Sequence, residues 1–231
     1  MSGAGAFLRS TIGRKVVMAV TGLLLFGFVV AHMLGNLQVY LGPTKLDEYG
    51  AALRRLPALL WALRIGLLAA VVGHVWAAST LTLTNWAARP RGYRKTRYQE
   101  SSYASRTMRW SGVILFLFVV YHLLHFTLGN VHPDFVEGGV NHNFVTGLQV
   151  PWVSAFYVVA MLCLGLHMYH GVWSLLQTLG LNHPRYNQLR LAFATFITAV
   201  VVIGNISMPV AVLTGLIREA PRVAAAPAAT R

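Results

Sequence analysis

Nine histidines occur in the 231-residue chain, and six of them, His32, His74, His122, His125, His167 and His170, fall inside long apolar stretches. A bilayer core gives a polar side chain nothing to bond to, so an imidazole placed there marks function by default. Burial favours the neutral form, which is also the form that binds iron. For any one of these residues taken alone, an interhelical hydrogen bond to a serine, a threonine or a backbone carbonyl is an equally good account. Their distribution shifts the balance toward metal ligation, because each of the first four apolar segments carries at least one and the fifth carries none.

Other chemistries find little support. One cysteine, Cys163, excludes a disulfide framework, a zinc ribbon and a four-thiolate iron–sulfur cluster held by this chain alone. There is no HExxH pair for a zinc protease, and Asp and Glu occur only in connections or in the tail, so no embedded carboxylate is available to a transported cation. Phosphate-binding glycine loops, a dinucleotide fingerprint and a serine-nucleophile signature are also missing. Catalysis on a soluble substrate therefore belongs to other subunits.

The elements that must position the histidines follow from composition. Hydrophobic residues make up 56% of the chain and charged residues 11%, against about one charged residue in four for a soluble domain. Nineteen Lys and Arg against six Asp and Glu would suggest nucleic acid if they lined a groove. Instead they sit in short clusters between uncharged runs, so the expectation is a membrane protein with no nucleic-acid partner. About 20 apolar residues suffice to span the hydrocarbon core. The expected spans are Val16 to Leu41, Pro57 to Ala88 with Arg64 as its one charge, Trp110 to Val131, Pro151 to Leu181, and Leu191 to Ile217 interrupted near its end by Pro209. This is an all-α bundle of five transmembrane helices over residues 1–217. No internal repeat is visible, and an Ala- and Pro-rich tail, residues 218–231, is expected to be mobile.

Orientation follows from the cationic connections, which concentrate on the cytoplasmic side. Arg9, Arg14 and Lys15, seven residues between Arg89 and Arg109, and Arg185 with Arg190 put twelve on the side of the N-terminus; Lys45, Arg54, Arg55, Arg218, Arg222 and Arg231 put six on the other. The N-terminus is expected inside and the C-terminus outside. The first span is too long for a signal-peptide core and lacks a small-residue cleavage site, so it reads as retained.

At 1.5 Å per helical residue, His32 lies about 24 Å and His122 about 18 Å from the inner edge, in the outer half. His74 and His167 lie roughly 25 Å from the outer edge, in the inner half. The four thus sort into two level pairs, each drawn from two helices, as bis-histidine ligation of two haems requires. Small neighbours, Ala70, Ala77 and Ala78 near His74, Gly35 beside His32 and Gly171 beside His167, leave room for a flat macrocycle. The competing account is that small residues let helices approach one another directly.

Five segments together resemble a known family: Ser10-Thr-Ile-Gly-Arg-Lys-Val-Val-Met-Ala-Val-Thr-Gly22, Ala31-His-Met-Leu-Gly-Asn36, Gly73-His-Val-Trp76, Tyr121-His-Leu-Leu-His125 and His167-Met-Tyr-His-Gly-Val-Trp173. Their order and spacing resemble the di-haem cytochrome b membrane subunit of succinate dehydrogenases and fumarate reductases, in the type with a single five-helix anchor, over nearly the whole chain to about residue 217. The resemblance implies His32 and His122 as axial ligands of a distal haem b, and His74 and His167 as those of a proximal one. It also implies a flavoprotein with covalent FAD and an iron–sulfur subunit docked on the inner face, with electrons passing to a membrane quinone, by resemblance menaquinone. The setting it implies is the bacterial cytoplasmic membrane, where a higher oligomer of the complex would be compatible with it.

His125 and His170 each lie three residues beyond a proposed ligand, close to the same helical face, and are the alternative ligands. Arg64 is placed near the outer pair, where a haem propionate is a natural partner and a side chain snorkelling to the interface is the alternative. Arg14 could serve the proximal propionates or a quinone, and Ser10 with Arg14 resembles a quinone-site pair of related anchors. Some family members that oxidise menaquinol use an acidic residue near the outer side of the second helix. Here that region reads Leu53-Arg-Arg-Leu-Pro57, with Asp47 and Glu48 further off, so no proton-transferring residue is carried over. Two other readings remain open at this point. One is the haem b anchor of another quinone-linked enzyme, such as a hydrogenase or formate dehydrogenase; the other is a haem-free polytopic protein.

Overall fold

A computed structural model describes residues 3–88 and 102–219. The described residues form eight α-helices and no strand: α1 (Gly3–Arg9), α2 (Thr11–Asn36), α3 (Pro43–Arg54), α4 (Pro57–Ala87), α5 (Tyr103–His122), α6 (Val140–Gln149), α7 (Pro151–Thr178) and α8 (Asn187–Leu213). Five of them, α2, α4, α5, α7 and α8 with their short flanking turns, are long and apolar enough to cross a membrane. They present large apolar side chains outward, Leu24, Leu68, Leu117, Phe196 and Ile203 among them, as a lipid-facing surface requires.

Local chemistry sets the starts. Ser10 caps α2 by accepting from the Gly13 amide, and Ser102 caps α5 by accepting from that of Ser105. Pro43, Pro57 and Pro151 occupy first-turn positions where a missing N–H costs nothing. The third span starts earlier than its charge-free core, because Arg106 and Arg109 ride on the first turns of α5 with their guanidinium groups over Tyr103 and Trp86. The fifth is not interrupted by Pro209. Helix α8 runs through it to Leu213, and Pro209 is buried, as are Met208, Ala211 and Val212.

Helix α4 packs on α2, and α7 packs on both α5 and α8, with α2 meeting α7 between them. The contacts are close where glycine permits. A Cβ on Gly165 of α7 would stand 2.8 Å from Val202 of α8, and one on Gly204 of α8 would stand 2.6 Å from the Met33 sulfur of α2. Helices α3 and α6, expected as plain connections, form a cap over the end of the bundle where α2 and α5 finish. Asp47 accepts the Asn141 amide at 2.8 Å, the Asn141 side chain donates to the Pro43 carbonyl, and Leu46 is sealed between them. At the start of the expected tail, Arg218 donates to the Gly215 carbonyl and Glu219 reaches His142. Residues 220–231, like Arg89 to residue 101 of the basic connection, lie outside the described residues.

Candidate functional site

The two level pairs come together across the bundle. His32 of α2 and His122 of α5 face each other with ring centres 5.7 Å apart and planes at 86°. His74 of α4 and His167 of α7 do so at 6.2 Å and 60°. The first pair lies near the end capped by α3 and α6, the second toward the opposite end. None of the four histidines is fully buried.

Hydroxyl groups on neighbouring helices hold three of these rings by the same nitrogen. Thr21 Oγ1 lies 3.2 Å from His74 Nδ1, Ser111 Oγ 3.2 Å from His167 Nδ1, and the Tyr157 hydroxyl 3.3 Å from His122 Nδ1. With Nδ1 engaged, Nε2 is the nitrogen left for a ligand. Two imidazoles bound trans to one metal at about 2 Å per bond, each ring centre roughly 1 Å behind its nitrogen, stand about 6 Å apart centre to centre. Both pairs fit that separation. His32 is the exception in orientation: its Nε2 lies 3.2 Å from the Asn36 side-chain nitrogen, one turn further on, so a ligand role requires that contact to give way.

Of the small neighbours, most serve helix contact rather than cofactor space. Ala70 and Ala77 are buried, a Cβ on Gly73 would meet Thr21 at 3.3 Å, and Gly35 is covered by the Tyr49 ring. Gly171 alone opens onto free space, with nothing within 4 Å.

The extra histidines separate from the pairs. The end of α5 widens into a π-helical turn, Leu123–Thr127, which carries His125. His125 is fully buried, stacked on His132 at 4.9 Å, with Nδ1 3.1 Å from the Tyr157 hydroxyl. His170 is partly buried and makes no ring contact with His74 among the described residues. Arg64 is exposed and lies over Trp61 at 5.2 Å. Arg14 donates to Thr84 Oγ1 on α4 at 3.0 Å, which leaves its buried Nε without a partner among the described residues. The Ser10 hydroxyl is used both ways, donating to the Phe7 carbonyl while it caps α2. Sequence reasoning singled out none of Thr21, Ser111, Tyr157 and His132. Only Tyr157, a phenol within an apolar span, carried a visible signal.

Residues 87–204 match the model of the succinate dehydrogenase/fumarate reductase transmembrane subunit family. The chain belongs to that family. The matched stretch includes one histidine of each pair, His122 and His167, while His32 and His74 lie before it. Comparison with curated proteins and with solved structures gave no match. Membership sets aside the hydrogenase and formate dehydrogenase anchors. It also agrees with a membrane subunit that carries no dehydrogenase site of its own.

Proposed function

We propose that the chain anchors a succinate:quinone oxidoreductase in the bacterial cytoplasmic membrane and carries its electrons through two haems b, one held by His32 and His122, the other by His74 and His167. The observation that carries this reading is the meeting of two imidazole pairs, each drawn from two different spans, with ring centres 5.7 and 6.2 Å apart. When bound, each haem would supply one-electron redox chemistry. Thr21 and Ser111 orient the inner pair and Tyr157 orients His122, fixing Nε2 as the ligating atom. The lipid-facing surface of the helices excludes water from around both pairs.

The flavoprotein with FAD and the iron–sulfur subunit dock on the N-terminal side, where the cationic residues concentrate, and the electrons end on a quinone, menaquinone by family resemblance. Arg64 would serve the outer haem and Arg14, near Ser10, the inner end. A pyridine haemochrome assay on the purified chain tests the reading and is expected to give two haems b per chain. One or none would reject it, and none would favour the haem-free alternative. Co-purification should recover the flavoprotein and iron–sulfur partners.

A further inference from the structure

We infer that Tyr157 is a positioning residue for the outer ligand pair, and that it works through His125, which accepts the only proton the Tyr157 hydroxyl can donate. The inference rests on the two-haem reading for His122 and on hydrogen-bond arithmetic for the rest. The hydroxyl of Tyr157, a buried residue of α7, stands between two imidazoles, 3.3 Å from His122 Nδ1 and 3.1 Å from His125 Nδ1. A phenol has one proton, so it can donate to only one of them and must accept from the other. If His122 binds metal through Nε2, its Nδ1 carries hydrogen and donates to the phenol oxygen. The phenol then donates to His125 Nδ1, and His125 keeps its hydrogen on Nε2.

The far end of the chain is fixed independently. His132 Nε2 lies 2.7 Å from the Asn143 carbonyl, which can only accept, so that nitrogen carries the hydrogen, while His132 Nδ1 accepts the Asp134 amide at 3.0 Å. With both nitrogens committed, His132 offers His125 a ring face at 4.9 Å and no hydrogen bond. His125 Nε2 accordingly has no partner among the described residues, although the ring is fully buried. A buried polar atom left alone is costly. His125 tolerates that cost at Nε2 while its Nδ1 serves Tyr157, and a Cβ on Gly147, 2.8 Å from His125 Cε1 and 2.9 Å from Nε2, would fill the space the ring occupies.

A hydrogen bond donated from a ligating imidazole strengthens its donation to the metal and so favours the oxidised iron. That bond is stronger when the acceptor hydroxyl is itself polarised by a further acceptor. Tyr157→Phe is therefore expected to raise the midpoint potential of the outer haem and shift its low-spin ferric resonance, with the inner haem unchanged as an internal control. His125→Ala should shift the outer potential in the same direction by less. His125→Asn, whose amide oxygen restores an acceptor near the position of Nδ1, should return it toward the wild-type value.

The experiment is a redox titration followed by optical and electron paramagnetic resonance spectra on the assembled complex. Wild-type protein showing fewer than two haem components would sink the two-haem reading and this inference with it. Two components in the wild type, with no shift in Tyr157→Phe or with equal shifts of both haems, would overturn the inference alone. Should Tyr157→Phe fail to assemble, the His125 pair decides: an outer-haem shift in Ala that Asn reverses supports it, and indistinguishable Ala and Asn variants overturn it.

Discussion

Removing a histidine that ligates deletes a spectral component, whereas removing one that only packs leaves the component in place with altered surroundings. Replacing His74 or His167 by alanine should abolish one and the same haem signal in reduced-minus-oxidised spectra, and replacing His32 or His122 the other. Loss of the same component from His32→Ala and His74→Ala would break the pairing. His125→Ala and His170→Ala should each retain both haems, because His125 faces His132 and Tyr157 and His170 makes no ring contact with His74 among the described residues. A haem lost in either variant would transfer the ligand role to that residue. The ligand candidates were legible in the sequence because an imidazole within a span has no cheap local partner. Their supports were not, because a helical hydroxyl satisfies itself: Thr21 also donates to the Val17 carbonyl at 2.7 Å and Ser111 to that of Met108. Nothing in the type or spacing of Thr21 and Ser111 distinguishes them from the threonines and serines that do only this.

Among the elements, the cap made by α3 and α6 is where structure departs most from expectation. Each helix is short and carries polar groups that form its contacts, so neither has the apolar length that announces a span. The cap holds His142, whose two nitrogens lie 2.7 Å from the Glu219 carboxylate and 3.2 Å from that of Asp134. Burial opposes its charge, but the bonds and attraction from Glu219 and Asp134 outweigh burial and raise its pKa above the ordinary value. A raised pKa in the folded state stabilises below the unfolded value of about 6.5 and is lost as pH rises through the folded value. The melting temperature of His142→Gln in detergent should therefore fall below that of wild type at acidic pH and converge with it at alkaline pH; a difference that grew with pH would refute the clamp. Glycines give a second test at this scale. Gly147→Ala meets two imidazoles under 3 Å away and should cost about 1–3 kcal/mol through overpacking. Gly66→Ala meets nothing within 4 Å and should leave thermal stability unchanged or slightly improved.

Across the whole molecule, the five spans and their order were legible because apolar length is a coarse property that survives every local detail. Their ends were less so, since a charge-free window stops where arginines begin, although α5 carries two of them in its first turns. If the two imidazole pairs hold haems and the quinone reacts near the outer one, electrons delivered at the N-terminal side would cross much of the membrane. Each charge moved through the full potential corresponds to about 2.3 kcal/mol per 100 mV. Succinate:quinone turnover in sealed, oriented vesicles should then respond to uncoupler. Insensitivity, with protons exchanged only on the inner side, would move the working quinone site to the inner pair and make Arg14 and the surroundings of His74 the place to mutate. The pairing also bears on how such a chain is made. Each pair joins a helix from the first hairpin, α2 with α4, to one from the second, α5 with α7, so the His32–His122 pair is complete only once α5 has been made and the His74–His167 pair only once α7 has. Under the two-haem reading, capture of one haem would wait for α5 and of the other for α7, and a nascent chain halted after α4 presents only solitary imidazoles. On that reading cofactor supply would be a checkpoint on biogenesis, because a group gripped from both sides would rivet the two hairpins together and stabilise the completed bundle.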